Sequence, residues 1–312
     1  MEKINCPICD GSNFTFILKG KDNLHNMEGE FDIVRCANCG FLLTNPRPNS
    51  EDIKKYYPDE YGPYKLNFKQ VAKIATLRKN FNWLFKMIDT KATLDINLGQ
   101  KHAKVLEIGC GAGNFLYELK LLHPDWIISG TDFSEKSIST LKNHDIDVFV
   151  SDLTKIPSPS KSYDCIYGWM VVEHIHNLNQ ALSEVYRVLK DDGKFCFSVP
   201  NAGSWEFKYF GRYWLALHLP NHLYHFTEET ILKLLEKNGF KVEKIIHQRT
   251  FANLFLSAKN IINDSPMPKI IKNPLIYILS WNLFYHFLTL PIAFFLAILK
   301  QSGRLTIIAK KI

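Results

Sequence analysis

The sequence contains no internal repeat and no low-complexity tract, which excludes solenoids and repetitive fibres, since those need self-similarity at a fixed period. It has no excess of apolar or charged residues either. The hydrophobic share is 46% and the charged share 22%, close to globular averages, which argues against a disordered chain and against a multi-span membrane protein. Met1–Asp10 lacks the apolar core of a secretory leader and holds two cysteines instead, so a cytoplasmic protein is expected. No run of interleaved arginines and aromatics marks a nucleic-acid face. The formal net charge of +7 still favours anionic partners: nucleic acid, phospholipid or a phosphorylated small molecule.

Seven cysteines are present, and four of them form two C-x-x-C pairs, Cys6 with Cys9 and Cys36 with Cys39. The stretch between the pairs is long enough for a β-hairpin, and each pair can form a knuckle presenting two thiolates. Four thiolates satisfy tetrahedral Zn2+ and leave no open position, so a structural zinc ribbon is expected. A thioredoxin-type redox pair would sit at a strand-to-helix turn of a larger domain instead. Cys110, Cys165 and Cys196 stand alone in apolar segments, as buried leftovers do, and the whole pattern is unlike a secreted disulfide framework.

With 312 residues the chain can hold one α/β domain of roughly 200 residues plus a small module. Clustered apolar and β-branched residues predict strands at Phe14–Leu18 and Phe31–Val34. After a Tyr- and Pro-rich connector at 56–64, apolar residues from Val71 to Ile88 recur at helical spacing over 65–88. From Lys104 onward predicted strands and helices alternate. Strands are expected at Val105–Ile108, Trp126–Thr131, Asp147–Val150, Cys165–Gly168, Lys194–Val199, Val242–His247 and Leu305–Ala309; helices at Phe115–Leu122, Glu135–Asn143, Leu178–Leu189 and Glu228–Asn238. Such alternation implies a mainly parallel sheet with helices on both faces.

The run from Val105 to Phe115 is an apolar strand entering three alternate glycines, Gly109, Gly111 and Gly113, and then a helix. Glycines suit a turn where a ligand approaches the backbone closely. A dinucleotide fingerprint would require a further glycine at position 114, where this chain has Asn114. The next strand leads to Asp132, whose carboxylate can accept hydrogen bonds from both hydroxyls of a ribose. Asp152 follows the third strand, where it can meet an exocyclic adenine amine, and Trp169 and Met170 follow the fourth. All these strand ends lie at the carboxyl edge of a doubly wound sheet, where ligands bind.

The run Glu107–Gly113, Asp132, Asp152, the run Tyr163–His174, and Arg187–Lys194 before a strand ending at Val199-Pro200-Asn201 together resemble the class I S-adenosylmethionine-dependent methyltransferases. The resemblance covers most of 104–311. It implies a Rossmann-like methyltransferase fold, with a doubly wound, mainly parallel seven-stranded α/β sheet, preceded here by the small zinc-ribbon module. It also implies that Glu107 and the three glycines line the methionine part of S-adenosylmethionine and that Asp132 holds the ribose. Phe133, Asp152 and Leu153 would flank adenine, with Trp169 and Met170 near the sulfonium. The corresponding division is 1–50 zinc ribbon, 51–103 connector and helix, and 104–312 methyltransferase domain with inserts at 201–227 and 266–300. Gly40–Pro48 and Tyr56–Tyr61, taken with the cysteine pairs, resemble the front end of bacterial methyltransferases of sugar and cell-surface polysaccharide biosynthesis. That resemblance implies a saccharide or nucleotide-sugar acceptor, which could be carried on a membrane lipid.

A hydroxyl acceptor must lose its proton during methyl transfer, and histidine suits that task near neutral pH. His174 follows the fourth strand, and His222 lies in Leu217–Thr227, a segment similar to one that covers the active-site mouth in this family. Both are candidate bases, and O-methylation is the expectation. Asn273–Leu299 has no Asp, Glu, Lys or Arg and is long enough to span a bilayer. The last strand must nevertheless rejoin the sheet, so either an interfacial hairpin at the inner face of the membrane or a buried or dimer-forming helix pair is expected. Two other functions remain open: an RNA methyltransferase whose ribbon docks the nucleic acid, and a non-catalytic scaffold that binds zinc and S-adenosylmethionine.

Overall fold

A computed structural model of the protein describes residues 1–25, 27–57, 67–83, 85, 102–141, 144, 146–249, 252–279 and 291–312. In chain order its elements are β1 (Phe14–Lys21), β2 (Glu30–Cys36), β3 (Leu42–Thr44), α1 (Phe68–Asn80), β4 (Lys104–Ile108), α2 (Asn114–Leu122), β5 (Ile127–Asp132), α3 (Glu135–Ile138), β6 (Asp147–Val150), β7 (Tyr163–Trp169), α4 (Leu178–Val188), β8 (Leu189–Pro200), α5 (Trp205–Phe210), β9 (Tyr224–His225), α6 (Glu228–Lys237), β10 (Phe240–His247), α7 (Ala252–Asp264), α8 (Lys269–Leu279) and β11 (Arg304–Lys311). Residues 291–298 are also helical. The chain forms two compact units, one of Met1–Tyr56, Pro200–Lys233 and Ile246–Leu305, the other of Tyr57–Val199, Leu234–Ile245 and Thr306–Ile312.

The second unit carries most of a seven-stranded sheet of order β10-β11-β8-β7-β4-β5-β6. The neighbours β4 and β5, β5 and β6, β4 and β7, and β7 and β8 all run parallel. Position in the sheet explains composition. Val105 to Ile108 of the central β4 are all buried, whereas β6 at the edge has exposed ends, as expected for strands covered on both faces and on fewer. In α4, Leu178, Ala181, Leu182, Val185 and Val188 are buried, the one-sided stripe of a helix lying on a sheet. The chain builds outward from β4 through β5 to β6, then returns to the other side of β4 to lay down β7 and β8. The reversal between β4 and β7 is the topological switch point, where open α/β sheets bind ligands.

The first unit is built on a four-stranded sheet of order β1-β2-β3-β9. Its last strand comes from the 200–233 segment: Leu42 pairs with His225 and Leu43 with Tyr224. Phe31, Ile33 and Leu42 share a buried cluster with Phe207, Trp214 and Leu217. The amino-terminal strands thus acquire an apolar core from residues far along the chain, which so short a segment cannot supply alone.

Some predicted elements end early. The helix expected over 135–143 stops at Ile138 and tightens into a 3-10 turn, Ser139–Leu141. There Ser137 and Ser139 donate their hydroxyls to the carbonyls of Ser134 and Lys136, and such local bonds compete with helix continuation. Helix α1 ends at Asn80; Leu84 and Ile88 of the predicted helix lie outside the described residues, as does most of the 56–64 connector. Among the described residues no helix is long and apolar enough to cross a membrane.

Candidate functional site

The carboxyl ends of β7, β4, β5 and β6 lie side by side along one edge of the sheet, because these four strands are consecutive neighbours and parallel. Gly109–Gly113 leave β4, Asp132 and Phe133 end β5, Ser151–Leu153 follow β6, and Trp169 and Met170 end β7. The backbone ties these ends together. Cys110 N–H donates to Thr131 O at 2.9 Å, Ser151 N–H to Asp132 O at 3.1 Å, and Met170 N–H to Ser198 O at 3.0 Å.

Gly109 and Gly113 adopt φ of +63° and +82°, the left-handed region that favours glycine. Neither position has room for a side chain: a Cβ at Gly109 would run into Val171, and one at Gly113 into Leu141. The glycines are therefore required by the loop's own packing, in addition to any ligand. Gly113→Ala is expected to destabilise the protein by about 1–3 kcal/mol, the usual cost of overpacking, measured as a lower midpoint in urea unfolding.

Asp132 is buried, and its two oxygens accept separate backbone donors, Gly111 N–H at 2.8 Å and Ser134 N–H at 2.9 Å. An ionised carboxylate offers about four lone-pair sites, so acceptor capacity is left for a ligand after the glycine loop has been fixed. Burial pushes its carboxyl above the usual range, opposed by the Ser134 and Gly111 N–H groups. Glu107 is buried on β4. Phe133 is 47% exposed at the strand end and meets the ring of Tyr57 edge-on at 5.4 Å. Asp152 is exposed and accepts hydrogen bonds from Thr154 N–H and Oγ1 at 2.9 and 2.6 Å, while Leu153 is buried with φ of +68°. Trp169 lies half-buried, edge-on to Phe115 at 5.2 Å, and Met170 has φ of +56°.

A buried carboxylate thus holds a glycine turn at the switch point of a parallel sheet. A family described as methyltransferase domain matches residues 80–245, more than half of the chain. The chain belongs to this family. Membership implies S-adenosylmethionine as the cofactor. Among curated relatives, a Mycolicibacterium smegmatis protein named a probable S-adenosylmethionine-dependent methyltransferase is 31% identical over 145 residues, 45% of this chain and 52% of that one. The malonyl-[acyl-carrier protein] O-methyltransferase of Yersinia pestis is 32% identical over 113 residues, 35% of this chain and 42% of that one. The chain thus spans about half the length of the curated relatives it matches. A solved S-adenosylmethionine-dependent methyltransferase from Archaeoglobus fulgidus is 22% identical, covers 78% of this chain and 95% of its own, and superposes with a TM-score of 0.44.

The candidate bases belong to different units. In the methyltransferase domain, His174 closes a short 3-10 turn, Val172–His174, just beyond β7, and its Nδ1 is 3.0 Å from the hydroxyl of Tyr57. Tyr57 lies outside the expected ligand sets, although it sits in the Tyr56-Tyr57-Pro58 run that sequence reading singles out as a motif. His222, in the other unit, is buried and donates Nδ1–H to Ala216 O at 2.8 Å. Its neutral form therefore keeps the lone pair on Nε2. His225 is fixed differently. Thr44 gives its only hydroxyl proton to His222 O at 2.9 Å, so His225 Nε2, 3.1 Å away, must donate to it. Burial lowers His225 to about 3, and it stays neutral as a structural residue.

The four paired cysteines converge in the first unit. Their sulfurs lie within 4.8 Å of one another, with Cys6 and Cys39, and Cys9 and Cys36, each 3.4 Å apart. A tetrahedron with Zn–S bonds of about 2.3 Å has edges of about 3.8 Å, so the sulfurs are already nearly at the spacing of zinc ligands. Burial pushes the Cys36 thiol up, but the Cys39 and Asn38 N–H groups and the Cys9 and Cys39 thiols outweigh it and hold Cys36 at about 7. Elsewhere burial dominates. It raises Cys165 to about 12 and puts Cys110 well above the ordinary thiol range, so those two stay protonated as core residues.

Proposed function

We propose that the protein is an S-adenosylmethionine-dependent methyltransferase that methylates a hydroxyl of a saccharide or nucleotide-sugar intermediate. The observation that carries the cofactor reading is Asp132, a buried carboxylate that organises the glycine loop through Gly111 and keeps lone pairs for a ligand. Asp132 would hold the ribose hydroxyls. Glu107, Gly109, Gly111 and Gly113 would line the methionine part, Phe133, Asp152 and Leu153 the adenine, and Trp169 and Met170 the region of the sulfonium. When bound, S-adenosylmethionine supplies an electrophilic methyl group. The chain's own part is to orient the acceptor and take its proton, and His174 and His222 are the groups suited to that. The net charge of +7 fits a phosphorylated acceptor such as a nucleotide-sugar. Cys6, Cys9, Cys36 and Cys39 would hold one Zn2+ with no open position, a structural role.

Titration calorimetry with S-adenosylmethionine tests the cofactor site. Asp132→Ala removes charge-assisted hydrogen bonds worth about 1.5–3 kcal/mol each, so affinity should fall about 10–100-fold. Unchanged affinity would remove the methyltransferase reading. The wild-type affinity should also fall on acidification, because a protonated carboxyl accepts fewer hydrogen bonds. Burial raises the Asp132 carboxyl, so this fall begins at a higher pH than an ordinary aspartate would set. Mass spectrometry of nucleotide-sugars incubated with the enzyme tests the acceptor, and transfer to RNA alone would overturn the saccharide assignment.

A further inference from the structure

Helix α8 combines two features that conflict in a fully enclosed protein: it is strongly apolar, and none of its residues is buried. At about 100° per residue, Tyr277, Ile270, Ile278, Ile271 and Leu275 fall on one side of it, while Lys272, Ile276, Leu279, Lys269 and Asn273 fall on the other. On that second side Lys272, Ile276 and Leu279 are partly buried, while Lys269 and Asn273 are exposed. Lys272 Nζ donates to the carbonyls of Asn263 at 3.1 Å and Ser265 at 2.8 Å, satisfying the carboxyl end of α7, where orphan carbonyls need a donor. On the first side Ile270 is 83% exposed, Ile271 51% and Ile278 54%. The helix at 291–298 repeats the pattern. Only Ala293 is buried there, while Phe295 and Ile298 are 59% and 64% exposed.

Charge accompanies this apolar surface. Residues 265–304 include Lys269, Lys272, Lys300 and Arg304 and not one Asp or Glu, although the whole chain carries 31 acidic residues. Lys269 and Lys300 are exposed beside the two helices. An apolar face flanked only by cations complements a surface that is apolar inside and anionic outside, as a leaflet containing acidic phospholipids is. A nucleic acid would match the charge but not the isoleucines.

We propose that α8 and the helix at 291–298 form an interfacial membrane-binding surface, inserting Ile270, Ile278, Phe295 and Ile298 among acyl chains while Lys269 and Lys300 meet anionic headgroups. Neither helix crosses the bilayer. The surface does not depend on the identity of the acceptor or on the cofactor site, so it stands or falls separately from the methyltransferase reading.

Sedimentation of the full chain with phosphatidylcholine vesicles, with and without phosphatidylglycerol, provides the test. The protein should pellet with the anionic vesicles at low salt, and salt should reduce binding. Ile270→Asp with Ile278→Asp removes two exposed apolar anchors, so vesicle affinity should drop more than about tenfold. Lys269→Glu with Lys300→Glu should weaken binding to anionic vesicles at least about tenfold and leave the thermal melt unchanged, which keeps the test decisive if the aspartates disturb folding. Wild type remaining in the supernatant with both vesicle types would overturn the proposal, as would wild-type binding by the lysine variant. A dimer by light scattering that Ile270→Asp dissociates, with no vesicle binding, would make the surface a subunit seam and likewise overturn it.

Discussion

His174→Ala is expected to lower turnover with a hydroxyl acceptor about 10²–10⁴-fold, the usual contribution of a positioned general base, while cofactor affinity stays near wild type. The expectation rests on local geometry. His174 closes the 3-10 turn a few residues beyond β7, and its Nδ1 lies 3.0 Å from the Tyr57 hydroxyl. When Nδ1–H donates to that oxygen, Nε2 is the ring nitrogen that carries the lone pair. Tyr57 is itself braced edge-on against Phe133, so in this proposal it would position the imidazole. Tyr57→Phe should therefore cost less, about 2–10-fold, as loss of one neutral hydrogen bond does, and should shift the acidic limb of the pH–rate profile. In His174→Ala that limb should disappear. His222 is the rival base, since its Nδ1 is committed to Ala216 O and its neutral Nε2 can likewise take a proton. Loss of the acidic limb in His222→Ala alone would transfer the role to it. Full turnover in both variants would mean that the acceptor is not a hydroxyl or is activated by another group.

The seven-stranded sheet was legible because each of its strands is a local apolar run with its own turn signals, and such runs are written in consecutive residues. Each predicted strand from Val105–Ile108 to Leu305–Ala309 lies within or overlaps an observed one, and most errors fall at the ends, as with β8, which begins at Leu189 rather than Lys194. What escaped was non-local or short. Strands β3 and β9 have three and two residues, too few for periodicity to register; β3 pairs with β2 on one side and on the other gives β9 its hydrogen-bonding edge across about 180 residues of chain. Helix α5 has six residues and is held by the Ser204 cap and the burial of Phe207 and Phe210. Helix α7 went unread because Asn253, Ser257, Asn260 and Asn263 interrupt its apolar residues, Leu254, Phe255, Leu256, Ile261 and Ile262. Its middle is tied to a distant segment, Ser257 Oγ accepting Leu215 N–H at 2.9 Å.

The candidate site shows the same division. Glycines, terminal aspartates and paired cysteines are local motifs, and sequence could nominate them. The contacts that fix the loop could not be read: Val171 against Gly109 and Leu141 against Gly113 each join segments separated by tens of residues. The bond between Tyr57 and His174 spans 117 positions, and only the folded chain brings the two rings together.

The cysteine cluster should yield the largest single effect. Purified protein is expected to contain one equivalent of zinc by elemental analysis, and Cys6→Ser or Cys36→Ser should abolish that content. The energetic consequence should be large, because structural zinc contributes apparent free energies of about 10–16 kcal/mol in small ribbon-like peptides at neutral pH. Here the effect has a defined reach. The amino-terminal strands share a core with Phe207, Trp214 and Leu217, so loss of metal should loosen that unit rather than release an isolated ribbon. Hydrogen exchange should show protection falling in β1, β2, β3 and β9 on chelation, with β4, β5 and β7 far less affected. The remaining cysteines provide an internal control. Cys110→Ser and Cys165→Ser remove thiols that burial keeps protonated, so zinc content should remain at one equivalent per folded chain. An absence of zinc in protein prepared without chelator, or content unchanged in Cys6→Ser and Cys36→Ser, would refute the metal site. The four sulfurs would then be a cluster of free cysteines that holds no metal.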